Sequence, residues 1–237
     1  MDRMFGDAKS AYGFAKGNDQ FYNDATYNVM YVDSHDYAPE GPSEFTRFEG
    51  GTQTWAENLD LMFTFRGIPC VYYGSEVEFQ KGVVIDVGPN APLSATGRAY
   101  YGDYLEGDVT ATDFSEYTAS GTVADTLASP LSKHLSKLNA IRRAIPALQK
   151  GQYTVSSNYV SGGNMSYIRR YTNKDEGVDS LALVTVSSGA TFKNIPNGTY
   201  IDAVTGDVQN VTNGTLTVPT IGKANMRLYV CLSLIHI

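Results

Sequence analysis

Four side chains stand where apolar runs give way to polar loops, and their types suit hydrogen-bonding chemistry. His35 and Asp36 close the stretch NVMYVDSHD at 28–36, Glu76 closes GIPCVYYGSE at 67–76, and Arg98 lies in SATGRAYYGDY at 94–104. An imidazole beside a carboxylate offers a donor and a charged acceptor together, which is what a pair of neighbouring hydroxyls requires. The same two residues can instead cap a loop, the carboxylate taking backbone N–H groups and the imidazole satisfying a carbonyl. A metal centre built from His35 with Asp33 and Asp36 lacks further His or Cys ligands and is set aside. For Glu76, lining a cleft and tying down its loop weigh equally, and Arg98 reads most simply as a surface charge.

The elements that must position these residues follow from the apolar pattern. NVMYVD at 28–33 and IPCVYY at 68–73 are near-continuous apolar runs, the reading of parallel strands covered on both faces. Between them, Trp55, Leu59, Met62 and Phe63 recur at helical spacing over 52–65, with Thr52 or Thr54 as N-cap and Gly67 just past the end. Strand, helix and strand make a right-handed unit whose functional groups belong at the C-terminal ends of the strands, where Asp36 and Glu76 sit. A Gly-, Ser-, Thr- and Asp-rich insert fills about 82–127. A second amphipathic helix is expected over about 130–144, with Leu131, Leu135, Leu138 and Ile141 on one face. Arg142 and Arg143 favour its C-terminus, and Pro146 ends it.

From Gly151 the pattern changes to short alternating segments, MSYIRRY, LALVTV, TYIDAV, TLTV and MRLYV. The dipeptides Asn197-Gly198 and Asn213-Gly214, with Gly206-Asp207 weaker, punctuate them at the spacing of an antiparallel sandwich. The fold class expected is therefore α/β followed by all-β, divided into 1–150 and 151–231. The last six residues, LSLIHI at 232–237, match the translation of a sequencing-library adaptor and are left out of the fold reasoning. By that reading the natural chain continues differently.

Composition excludes some partners. A net charge of -7 without any Lys/Arg-rich run argues against a nucleic-acid backbone binder. No stretch nears the roughly 20 apolar residues that span a bilayer, and the first residues have no apolar signal core. Seventeen Tyr suit sugar faces as well as sheet packing. Packing is the simpler reading for Tyr72 and Tyr73, while a loop position leaves stacking open for Tyr100 and Tyr101.

The two strand-end motifs together resemble the α-amylase family of glycoside hydrolases. That family ends its seventh barrel strand in an aromatic-x-x-x-His-Asp motif, here Tyr31, His35 and Asp36. Its eighth strand reads Gly-x-Pro-x-x-Tyr-Tyr-Gly-x-Glu, here Gly67, Pro69, Tyr72, Tyr73, Gly74 and Glu76. LNAIRRAIPALQKGQY at 138–153 resembles the family's closing barrel helix running into its C-terminal β-domain. The resemblance implies the last strands and helices of a (β/α)8 TIM barrel plus a C-terminal antiparallel β-sandwich, the latter mainly structural.

The same resemblance implies a retaining reaction on α-glucosidic bonds of starch-like glucans, with a maltooligosaccharide or α-glucan as partner. Asp36 would stabilise the transition state, and His35 would bind the same sugar. Glu76 and Arg98 would be accessory substrate contacts. The nucleophilic Asp and acid/base Glu of the family belong to earlier barrel strands and match nothing in this chain, so the chain alone is expected to be inactive. A glucanotransferase, or a non-catalytic carbohydrate-binding or structural relative, is the alternative. No cofactor or metal is assigned here. Calcium in a full-length parent and a secreted location are implied by the family only.

Overall fold

The computed structural model describes residues 7–36, 46–113 and 116–232. Residues 233–237 of the adaptor-like tail lie outside the described residues. Along the chain come helix α1 (Ala8–Asn18), strand β1 (Val29–Met30), helix α2 (Thr52–Thr64) and strand β2 (Ile68–Pro69). The insert holds a hairpin of β3 (Val109–Asp113) and β4 (Glu116–Ala119), then α3 (Thr122–Ala128). Helices α4 (Pro130–Ala144) and α5 (Pro146–Lys150) follow.

α4 forms where its signals predict. Ser129 accepts from the Ser132 N–H as N-cap, Pro130 occupies the first turn, and Leu131, Leu138 and Ile141 are buried. α2 begins earlier than either a Thr52 or a Thr54 cap would place it. Its N-cap is Gly51, and the Thr52 hydroxyl donates to Glu78 Oε2 at 2.6 Å instead. Nearly all of α2 is buried, including Glu57, Asn58 and Asp60. It packs against α1, α4 and a sheet, so no face is left for solvent.

The two apolar runs form less strand than expected. β1 and β2 pair in parallel through Val29 with Ile68 and Met30 with Pro69, and pairing ends there. Val29 is 56% and Ile68 47% exposed, so burial on both faces is not realised. The reason lies in the neighbours: a parallel strand is covered only inside a wider sheet flanked by helices, and this sheet has two strands. Gly67 makes the close approach possible. It has φ +96°, and a Cβ there would stand 2.6 Å from the Asn28 carbonyl, which accepts the Ile68 N–H.

From β5 (Gln152–Thr154) onward every pairing is antiparallel. The strands are β6 (Val160–Ser161), β7 (Met165–Asn173), β8 (Val178–Val186), β9 (Ala190–Lys193), β10 (Gly198–Asp202), β11 (Val208–Val211), β12 (Thr215–Val218) and β13 (Met226–Cys231). A six-stranded sheet runs β11-β10-β13-β8-β7-β5 and a three-stranded one β12-β9-β6. Alternation sends Ile168, Leu181, Leu183 and Tyr229 toward the small sheet, where they meet Phe192, Leu216 and Val218. It sends Tyr167, Ala182, Val184, Leu228 and Val230 the other way, into one core with Trp55, Leu59, Phe65, Leu138 and Leu148 of the helical layer. Asn197-Gly198 leads into β10 rather than turning a tight hairpin, and Asn197 Oδ1 accepts the Gly214 N–H at 2.9 Å.

Candidate functional site

Beyond β1 the chain is held by a buried ion pair. Arg47 Nε donates to Asp33 Oδ2 at 2.8 Å, and both side chains are almost wholly inaccessible. Ser75 Oγ donates to the same oxygen at 3.1 Å, which fastens the loop after β2 to the loop after β1. The rest of the guanidinium donates to the Gly97 and Tyr73 carbonyls at 3.1 and 2.8 Å, and it lies over the Tyr72 ring. Burial pushes the Asp33 carboxyl above its ordinary range, while Arg47 pulls the other way. Four loop segments thus share one hub.

His35 and Asp36 lie just past that hub and face solvent, their side chains 68% and 59% exposed. His35 Nε2 stands 3.2 Å from Asp36 Oδ1. The Asp36 N–H donates to Ser34 Oγ at 3.1 Å, a local turn that presents the carboxylate outward. Arg98 does not stand alone as a surface charge: its Nε donates to the His35 carbonyl at 2.8 Å. Its other nitrogens lie 3.9 Å from Asp36 and 3.5 Å from Asp86. The structure therefore brings together His35, Asp36 and Arg98. A carboxylate flanked by an imidazole and a guanidinium can accept from a hydroxyl while its neighbours donate.

Glu76 belongs to a different arrangement. Its Oε1 accepts from the Tyr101 hydroxyl at 2.6 Å, and its carbonyl accepts from Ser129 and Ser132 at the start of α4. These bonds favour the tether over the cleft-lining reading. Tyr101, expected on an open loop, is buried, with Phe79 edge-on and Tyr104 stacked at 5.2 Å. Burial, then the Glu76 carboxylate, push its hydroxyl pKa upward. Tyr100 alone of that pair is exposed, at 74%. Tyr72 and Tyr73 are not fully packed away either, since the strand they were assigned to stops at Pro69.

Sequence reasoning missed Arg47, because an Arg in a polar loop reads as solvated and its partner lies 14 residues away. The only available signal was the apolar Phe48 beside it. A second buried pair was missed as well: Asp60 on α2 is fully buried with His134 Nε2 2.9 Å from its Oδ1. Among the described residues no group of three His, Cys, Asp or Glu converges to hold a metal.

Comparison with known proteins bears on the class. No family model matches the chain. The α-amylase of Streptomyces lividans is 33% identical over 172 residues, 68% of this chain and 17% of its own length. Solved α-amylases from Anoxybacillus and Geobacillus thermoleovorans share the fold with TM-scores of 0.56 and 0.55 at 16% and 15% identity. They match 96% and 93% of this chain, which covers 43% and 42% of theirs. The chain is thus a relative of the α-amylases, a family of glycoside hydrolases, over most of its own length. It spans a minor part of the curated relative and less than half of the solved ones.

Proposed function

We propose that this chain supplies the closing part of a (β/α)8 barrel, through residue 150, and the trailing β-sandwich of an α-amylase-type glycosidase that cleaves α-glucosidic bonds of starch-like glucans with retention. The observation that carries this is His35 and Asp36 standing side by side and open to solvent beyond a strand paired in parallel with the strand of the second motif. Asp36 accepts from hydroxyls of the sugar at the scissile bond. As positive charge develops on the ring those bonds strengthen, so the carboxylate lowers the barrier without moving a proton. His35 donates to the same sugar, and Arg98 holds the His35 backbone. The Geobacillus neighbour is described as complexed with acarbose, which supports a glucan-type substrate.

Bond cleavage in this scheme needs a nucleophile and a proton donor from earlier strands. The chain alone is therefore inactive on soluble starch, and robust hydrolysis by it would overturn the reading. In an enzyme that also contains the earlier strands, Asp36→Asn lowers kcat by several powers of ten, as losses of transition-state charge stabilisation do, with the fold intact. Near-normal turnover would remove Asp36 from the site. An upstream reading frame with Gly-x-Arg-x-Asp and a later strand-end Glu supports the enzyme over a non-catalytic relative.

A further inference from the structure

A cleft of about 380 Å3 opens in the insert, between α3 and the short 3-10 helix Gly102–Leu105, with Val77 of the loop after β2 also lining it. Its walls are fixed to each other. The Thr122 and Thr126 hydroxyls donate to the carbonyls of Asp103 and Tyr104, which ties α3 to the 3-10 helix. Tyr104 contributes its ring. Tyr101 stacks on that ring at 14° with centroids 5.2 Å apart, and Phe79 meets it at 83°. Tyr101 is itself buried and bonded to Glu76, so the Tyr104 ring is a held platform, with 41% of the residue still exposed.

The two charged residues of the cleft, Asp103 and Asp125, are exposed, and their carboxylates have no partner among the described residues. The charge around them is one-sided. Between Arg98 and Lys133 the sequence holds Asp103, Glu106, Asp108, Asp113, Glu116 and Asp125, and neither Lys nor Arg. Those six carboxylates come close to the whole net charge of -7, so the field at the cleft is negative with nothing nearby to cancel it. An anion is repelled there. A bare metal ion needs converging oxygens, and Val77 and the ring supply none. A neutral sugar is served by the ring but draws nothing from the field. A cation with a short apolar stem uses every part: carboxylates for the charge, the aromatic face for cation–π contact and Val77 for the stem.

We propose that this cleft is a binding site for an organic cation of the alkylguanidinium or alkylammonium class, held by Asp103, Asp125 and the ring of Tyr104. The volume lies at the small end of the ~300–1,000 Å3 range of ligand pockets, which suits one such group rather than a large ligand. The site shares no residue with His35, Asp36 and Arg98 and does not depend on the function proposed above. The same group is found on free amines and on Arg or Lys side chains of a peptide.

Saturation-transfer NMR on the full 237-residue chain, with butylguanidinium, pentanoate or maltose in excess at low salt, tests this. Butylguanidinium is expected to receive saturation along its methylenes, and pentanoate and maltose are not. The double variant Asp103→Asn, Asp125→Asn should weaken binding about tenfold, the scale of two exposed ion pairs removed. Tyr104→Leu should weaken it about fivefold, and Tyr104→Phe should keep it. Thermal melts report folding of each variant, and the exposed Asp pair provides a test that leaves the aromatic cluster untouched. Absence of transfer to butylguanidinium overturns the proposal, as does transfer that the double Asn variant leaves unchanged. Equal transfer to maltose or pentanoate overturns it too, since the charge would then not select the ligand. Competition by acetyl-Ala-Arg-Ala-amide as strong as by agmatine upholds the site and assigns it to a peptide side chain, whereas competition by agmatine alone upholds it for a free amine.

Discussion

Arg47 and Asp33 decide whether the loops around the candidate site hold their shape. Replacing Arg47 with Leu leaves a buried carboxylate with only the Ser75 hydroxyl and backbone groups to answer it. The expected cost is roughly 3–5 kcal/mol in urea unfolding, partly recovered by adding Asp33→Asn, which removes the stranded charge. His134 has a pH signature. Burial alone lowers its pKa, but the contact with the Asp60 carboxylate outweighs burial, so its net direction is upward from 6.5, with Glu57 and Lys137 the other nearby charges. A raised imidazole adds stability in full below its unfolded value, and that contribution is lost as pH rises through the higher folded value. The urea midpoint should therefore fall as pH rises above the ordinary imidazole value of 6.5, and His134→Gln should flatten that slope. A slope unchanged by the substitution would assign it to other groups. That His35 and Asp36 stand side by side was legible because they are consecutive in the chain. Arg47 and Asp60 were not, because what makes them notable is burial against distant partners.

At the scale of elements, the signals that succeeded act within a turn or two. Ser129, Pro130 and Pro146 delimit α4 by capping and by a missing N–H, whatever surrounds the helix. Strand extent depends on pairing partners the sequence does not display, so 28–33 and 68–73 shrank to two residues each. The roles of arginines were equally hidden. Arg142 was expected to serve its own helix end; instead it donates to the Phe63 carbonyl in the last turn of α2 and to the Gly67 carbonyl just beyond it, both at 2.8 Å, and buried Arg169 of β7 donates to the Thr64 carbonyl. Two cations from different elements thus satisfy the orphan carbonyls at one helix terminus. Gly67→Ala should lower stability by roughly 1–3 kcal/mol for the positive φ, with more added as Asn28 and Met30 are pushed aside. Calorimetry reads the change, and a melting temperature within a degree or so of the parent's would mean that β1 and β2 are not held at this separation.

For the whole molecule, the apolar pair Val29–Ile68 lies open on a sheet of two strands. Such an edge templates pairing with another chain, so the isolated chain should self-associate at micromolar concentrations, and Val29→Thr with Ile68→Thr should reduce it. A monodisperse monomer by sedimentation would contradict this. The six-stranded sheet presents one face to the helices and the other to the small sheet, and β13 lies in its interior between β10 and β8. That arrangement sets an order on biosynthesis. Trp55, Leu59 and Leu138 leave the ribosome long before Leu228 and Val230, which complete the surface they pack on. The helical layer must wait, apolar side outward, until residues 226–231 have been made, so its folding is post-translational with respect to everything before them. A nascent chain stalled short of β13 is the species that chaperones or proteases would meet.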